Sequence, residues 1–270
     1  MVLHYVNYGY ARRGCPWWLV RGLRRWRREA GRQLVTIFHE VRATGLPWQS
    51  SFWLSGMQLH LARQVARSSD HALTSMERYA DLLAAGRGVR RPVVLPVFSA
   101  IGEPREVPPL PDRDRRIVVF GGRDVRSRAY RRSLAELASA CRTIGAREVL
   151  DVGAGDASPP AEVAGRPIKL LGECPDDEVS DLLRSSYAGF LSYPPEFLPK
   201  STIFAAYCAH GTLPICAPMG ATVAPEAPPF ARAASSADGH QELVVRCLRW
   251  YRGHSLSEHS RLLRQWVQDR

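Results

Sequence analysis

Residues 199–202 read Pro-Lys-Ser-Thr and lead into a helix-forming run, Ser201 to Ala209, that stops at Gly211. Lys200 and Lys169 are the only lysines among 37 basic residues, so the ammonium at this predicted helix N-terminus stands out. An ammonium, the Ser201 hydroxyl and first-turn N–H groups would together hold a diphosphate. A plain N-cap with a passing lysine accounts for the same residues. Four positions before Lys200, Glu196 follows Tyr193-Pro194-Pro195, where a loop carboxylate would accept hydrogen bonds from sugar hydroxyls or simply be solvated. Gly121-Gly122-Arg123, with Arg126 and Arg128 close behind, follows the apolar run ending at Phe120. Glycines let the backbone approach a phosphate, and arginine supplies paired donors. A solvated arginine-rich loop is the alternative, and no G-K-[ST] is present to make a Walker loop. His39-Glu40 ends the run Leu34 to Phe38, where an imidazole could bond a substrate or shuttle a proton and the carboxylate could orient a hydroxyl. A histidine satisfied by backbone is the structural alternative.

These positions matter because of the elements that carry them. Val2 to Tyr8 predicts a strand running into the turn chemistry of Gly9 to Gly14. A helix is predicted over Trp18 to Gly31 with an apolar stripe of Leu19, Leu23, Trp26 and Ala30, followed by a strand over Gln33 to Phe38. Leu54, Met57, Leu61 and Val65 mark the next helix. His71 to Thr74 reads as a strand, Met76 to Ala84 as a helix and Pro92 to Phe98 as a strand. Gly102 to Asp114 has four prolines and no apolar period, which predicts a linker. Beyond it the alternation resumes. Strands are predicted at Arg116–Phe120, Glu148–Val152, Ile168–Leu171, Ala188–Ser192 and Leu213–Ala217. Helices are predicted at Ala129–Arg142, Asp176–Ser185, Ser201–Ala209, Gly239–Trp250 and Ser255–Gln268, the last anchored by Leu256, Leu263 and Trp266. Strands alternating with helices imply parallel sheets covered on both faces, whose ligands bind beyond the strands' carboxyl ends.

With 270 residues, 45% hydrophobic and 23% charged, the chain accommodates two domains and is neither disordered, collagenous nor a coiled coil. The formal charge is +11, and residues 1–50 alone hold nine arginines against Glu29 and Glu40. That excess suits an anionic partner: a phosphorylated small molecule, an acidic membrane surface or nucleic acid. The six cysteines show neither C-x-x-C nor metal-ligand spacing to a histidine, so a reducing, cytoplasmic compartment is the natural setting. No apolar run reaches the ~18 residues of a membrane span.

Two resemblances to known families follow. The segment Val149-Leu150-Asp151-Val152-Gly153-Ala154-Gly155-Asp156 resembles motif I of class I S-adenosylmethionine methyltransferases, which would give Asp151 a ligand-binding role. In that family the motif opens the domain and leads into a long helix, whereas here Ser158-Pro159-Pro160 follows. A broader resemblance covers most of residues 2–220. FGGRDVRSR after the first strand of the second block, LGECPDDEVSDLLRSSYAGFLSYPPEF in its middle and KSTIFAAYCAHGTLPI after that are similar in order and spacing to the donor domain of retaining, sugar-nucleotide-dependent glycosyltransferases of the GT-B fold.

That resemblance implies two Rossmann-like parallel-sheet domains facing a cleft. Residues 1–101 would be a partial acceptor-side domain whose sheet is incomplete, 102–114 a linker, 115–237 the donor domain and 238–270 C-terminal helices. It implies base recognition near Gly172 and Glu173, diphosphate contacts from Gly121, Gly122, Arg123, Arg128, Lys200 and Ser201, and sugar or acceptor contacts from His39, Glu40 and Glu196. The partners would be a nucleoside-diphosphate sugar and a polysaccharide, lipid-linked or small acceptor, with no metal or other cofactor and no nucleic acid. Phe204 stands where the family's second glutamate would be, which leaves a non-catalytic nucleotide-binding protein as the alternative. The arginines of residues 21–28 lie on an amphipathic helix that would suit peripheral contact with an anionic membrane or a solvated face.

Overall fold

A computed structural model describes residues 1–29, 31–43, 48, 50–219 and 227–268. Two compact units divide the chain. Met1–Pro96 and the segment from His259 onward form the first, and Val97–Glu258 the second.

The first unit holds β1 (Val2–Tyr5), β2 (Val35–Phe38), β3 (His71–Thr74) and β4 (Val93–Val94) in a parallel sheet of order β1-β2-β3-β4. Every strand lies beside its predecessor, so the winding does not reverse among the described strands. Right-handed crossovers then place α2 (Trp17–Arg27), α3 (Ser50–Ser68) and α4 (Glu77–Ala84) on one face. Trp266, near the end of α10 (Leu256–Gln268), packs with Leu262 and Leu263 against Val35 and Leu73, and its ring stacks on His71 at 4.9 Å.

The second unit is a six-stranded sheet of order β10-β9-β5-β6-β8-β7. Its strands are β5 (Asp114–Phe120), β6 (Glu148–Val152), β7 (Glu162–Val163), β8 (Arg166–Gly172), β9 (Ser186–Tyr193) and β10 (Leu213–Pro218). All pairs are parallel except β7 with β8. From β5 the sheet grows outward through β6 and β8 on one side and through β9 and β10 on the other, so its winding reverses between β5 and β9. The helices are α5 (Arg123–Arg132), α6 (Leu134–Ile144), α7 (Asp176–Ser185), α8 (Thr202–Ala209) and α9 (His240–Arg252). Tyr207 of α8 is fully buried. Its hydroxyl accepts from the Phe120 N–H at 3.3 Å and lies 3.1 Å from the Val118 carbonyl and 3.3 Å from that of Phe190, which ties α8 to both strands flanking the reversal.

Several elements differ from the sequence expectation. The first strand stops at Tyr5 rather than Tyr8, because α1 (Asn7–Tyr10) turns the chain and the Tyr10 hydroxyl donates to the His4 carbonyl at 2.7 Å. In α2, Leu19 and Leu23 are buried with Val20 between them; Ala30 lies outside the described residues. In α3 the buried stripe includes Gln58, Leu61, Ala62 and Val65, while Met57 is exposed. Gln58 satisfies its amide by accepting from the Ala43 N–H and donating to the Arg13 carbonyl and the Tyr8 hydroxyl, so a polar residue takes a core position. The single helix expected over Ala129–Arg142 is two, broken at buried Ser133, whose hydroxyl meets that of Ser192 in β9 at 2.8 Å. Ala164 and Gly165, both with positive φ, make the two-residue turn of the β7–β8 hairpin, which no sequence signal predicted.

Residues 102–114 lie within the second unit. Glu103 accepts from the Tyr251 hydroxyl at 2.6 Å and from the Leu256 N–H at 2.7 Å. Leu110 is buried and its N–H donates to Gln241. Arg113 is also buried, donating to the carbonyls of Pro108 and His210, and desolvation lowers its pKa to about 10. Prolines remove the apolar period from this stretch without removing its contacts. Leu256 of α10 is exposed rather than an anchor.

Close approach of β9 to α8 depends on Gly189, where an added Cβ would lie 2.4 Å from the Tyr207 ring. Gly189→Ala is expected to cost about 1–3 kcal/mol through overpacking, read as a lower urea midpoint with an unchanged slope.

Candidate functional site

The winding of the second sheet selects the place to look, since ligands of open α/β sheets bind beyond the strand ends where the order reverses. At the end of β5 the chain passes through Gly121 and Gly122 into α5. Gly122 is the N-cap and brings no side chain, so the first-turn N–H groups of α5 receive no side-chain cap. Helix α8, which follows β9, starts differently. Buried Ser201 is its N-cap and accepts from the Phe204 N–H at 3.1 Å. Of these two helix starts, the one after Gly122 leaves its orphan donors to a ligand or solvent, with the helix dipole adding partial positive charge. The two starts adjoin: Ile203 of α8 packs so closely on Gly121, at φ 126°, that a methyl there would lie 2.4 Å from its Cδ1.

A buried arginine holds this loop. Arg126, on the second turn of α5, is 1% exposed. Its Nε donates to the Gly121 carbonyl at 2.8 Å, one Nη donates to the carbonyls of Ala154 and Gly155, and the other pairs with Asp151 of β6. The second Asp151 oxygen accepts from the Tyr130 hydroxyl at 2.6 Å. Burial, and then the bond to Asp151, raise the Tyr130 pKa, keeping that hydroxyl a donor. Burying a lone guanidinium would cost several kcal/mol; here its donors are matched to carbonyls and a carboxylate. Asp151 is therefore the counter-ion of Arg126, with a partner inside the fold for each oxygen. The motif that resembles a methyltransferase loop is an ion-pair site on an interior strand, followed by a hairpin and no long helix, so the methyltransferase reading is withdrawn.

Beside this network a hollow of about 290 Å³ is lined by Arg126, Asp151, Gly153 to Ala157, Leu170, Gly172 and Glu173. Gly172, at φ 72°, ends β8 and accepts from the Gly153 N–H at 2.7 Å; Glu173 is exposed. Arg123 opens α5, exposed, with its Nε donating to the Asp156 carbonyl at 2.9 Å. Arg128 is half-buried in the second turn. Glu196 is exposed on the 3₁₀ turn Pro195–Lys200 after β9. Lys200 closes that turn, half-buried, with its ammonium 5.9 Å from the centre of the Phe197 ring. Phe204 is fully buried with its ring 5.4 Å from that of Trp250.

The second sheet thus brings Gly121, Gly122, Arg123, Gly172, Glu173, Glu196, Lys200 and Ser201 to the carboxyl ends of neighbouring strands. His39 and Glu40 belong to the first unit, half-buried just after β2. There the His39 Nε2 lies 3.0 Å from the Nδ1 of His4, and the two rings stack. Sequence reasoning missed the roles of Arg126 and Tyr130, because their partners come from another strand. Among the described residues no group of three or more His, Cys, Asp or Glu side chains is placed to hold a metal. None of their helices is long and apolar enough to cross a membrane.

No family model matches the sequence, and no curated protein matches it. Solved structures do. Trehalose 6-phosphate synthase from Burkholderia multivorans superposes with a TM-score of 0.61 at 9% identity, over 98% of this chain and 69% of that one. The UDP-forming trehalose-phosphate synthase from Burkholderia vietnamiensis gives 0.60 at 11% identity, over 98% and 71%. WaaG, a glycosyltransferase of lipopolysaccharide biosynthesis, gives 0.52 at 11% identity, over 96% and 84%. The fold is GT-B-like. At these identities the likeness is one of fold, two Rossmann-like units that carry the site residues.

If Arg126 supports the loop as its contacts imply, Arg126→Met should destabilise the protein by about 3–5 kcal/mol by leaving Asp151 buried and unpaired. Arg126→Met with Asp151→Asn should recover part of that loss, both read from denaturant midpoints.

Proposed function

We propose that the chain is a glycosyltransferase that moves a sugar from a nucleoside-diphosphate sugar to an acceptor hydroxyl with retention. The observation that carries this reading is the reversal of strand order between β5 and β9, which sets the uncapped start of α5 beside the Glu196–Lys200 turn. In this reading Gly121, Gly122, Arg123 and the first-turn N–H groups of α5 take one part of the diphosphate and Lys200 another. Arg128 adds positive charge from the second turn, and Ser201 secures the start of α8. The hollow at Gly172 and Glu173 takes the base, and Glu196 accepts from hydroxyls of the donor sugar.

Transfer breaks the bond between the anomeric carbon and the diphosphate oxygen, and the acceptor oxygen bonds to that carbon from the same face. The acceptor proton passes to the departing diphosphate oxygen. Negative charge grows on the diphosphate as the bond breaks, and fixed cationic and N–H groups stabilise that charge more than the ground state. His39 and Glu40 carry acceptor-side roles, so His39→Ala would lower transfer while leaving diphosphate affinity unchanged.

A second reading, nucleotide binding without transfer, is favoured by Phe204. A buried aromatic ring occupies the position where the resembled family has a second carboxylate.

Calorimetry with UDP, GDP, ADP and their deoxythymidine and cytidine counterparts tests the common premise. One of them should bind, and Lys200→Ala should weaken it by about 1.5–3 kcal/mol, as expected for a charge-assisted hydrogen bond. Binding of none by the folded protein would remove both readings. Binding with neither sugar transfer nor donor hydrolysis would select the second.

A further inference from the structure

In the first unit, α2 and α3 each bury one side and expose an aromatic and cationic one. On α2 and its C-cap Arg28 the exposed residues Trp17, Trp18, Arg21, Gly22, Arg24, Arg25 and Arg28 fall on one helical face. On α3 they include Phe52, Trp53, Met57 and His60. Trp18 is 61% and Trp53 75% exposed, far more than rings of this size accept in an ordinary solvated surface. The two faces adjoin: the ring of Trp17 lies 6.4 Å from that of His60, which is two turns along the same α3 face as Trp53. Both helices begin at the carboxyl ends of the parallel strands they follow, so their aromatic first turns share one end of the unit.

Charge on this surface has a single sign. Residues 1–28 and 41–69 contain ten arginines and neither aspartate nor glutamate. Of the carboxylates bordering these segments, Glu29 pairs with Arg32 and Asp70 with Arg27, while Glu40 is half-buried just after β2. Among the described residues, Arg21, Arg24 and Arg25 form no ion pair. Amphipathic tryptophans beside solvent-facing arginines on a helical surface match the headgroup layer of an anionic bilayer, where rings sit at the boundary and guanidinium groups meet phosphates.

We propose that the exposed face of α2 and α3 docks on an anionic lipid bilayer, with Trp18 and Trp53 entering the headgroup layer and Arg21, Arg24 and Arg25 meeting lipid phosphates. The surface belongs to the first unit, and its test uses neither nucleotide nor sugar.

The full chain is sedimented with vesicles of equimolar phosphatidylcholine and phosphatidylglycerol, and with phosphatidylcholine alone. It should pellet with the first and not the second, with a blue shift of tryptophan emission. The combined variant Arg21→Gln, Arg24→Gln, Arg25→Gln should partition about two orders of magnitude less at low salt. The pair Trp18→Ala, Trp53→Ala should lose the blue shift and bind about tenfold less while keeping the salt dependence. All these positions are exposed, and matching circular-dichroism melting curves confirm that the variants are folded. Failure of the folded parent to pellet with anionic vesicles overturns the proposal, as does pelleting that neither variant reduces. Two other outcomes also overturn it. Binding to a short DNA duplex that outcompetes the vesicles would make the face a nucleic-acid surface. Lipid-independent self-association abolished by the tryptophan changes would make it a contact between copies.

Discussion

The buried guanidinium of Arg126 fixes the part of the molecule on which the candidate site depends. It reaches from α5 to the carbonyl of Gly121 after β5, to Asp151 within β6 and to the carbonyls of Ala154 and Gly155 after β6. The turn from β5 into α5 and the end of β6 with its following loop, distant in sequence from each other, are thereby held in one arrangement. A charge this deep is stable only while every donor keeps its acceptor, so the loop between β5 and α5 is effectively rigid. Rigidity at this point matters for binding. First-turn N–H groups must already point at an incoming anion, since ordering a loose loop would consume much of the affinity. The same network gives each Asp151 oxygen a partner inside the fold, although the residue also lines the hollow beside the glycine-rich loop.

A second constraint comes from the order of the strands. In the second unit the sheet reverses direction beside β5, and Tyr207 locks α8 onto the two strands at that reversal through its hydroxyl. The sheet of the first unit advances in one direction only across its described strands, so it offers no such crevice of its own. What that unit presents is an outward surface. Met57 and the aromatic first turns of its helices face solvent, and a satisfied glutamine, Gln58, takes a place in the core that an apolar residue would ordinarily fill.

Much of the fold was legible because periodicity and punctuation speak directly about local structure. Helix α7 and strands β3 and β6 have the bounds that their apolar patterns predict, and α8 begins one residue after its predicted start, at the cap provided by Ser201. Errors fell where a distant residue overrode a local signal. Ser133 breaks a helix with neither proline nor glycine at hand, because its hydroxyl is met by Ser192 across the core. Residues 102–114 look like a linker by composition, yet Glu103, Leu110 and Arg113 are pinned by α9, the start of α10 and the turn after α8.

By itself the sequence determined the alternating strand and helix pattern, the glycine turn after β5, the position of Lys200 and Glu196 after β9 and the arginine excess of the first 50 residues. Each is a property of residue type at short range. Only the tertiary structure decided that β5 and β9 are neighbours, that Ser201 caps its own helix while Gly122 leaves the other uncapped, and that Arg126 and Asp151 neutralise each other inside the fold. Those facts depend on which strands pair and which side chains are desolvated together. Strand pairing and desolvation are set by the free energy of the whole packed core, to which residues far apart in the chain contribute at once.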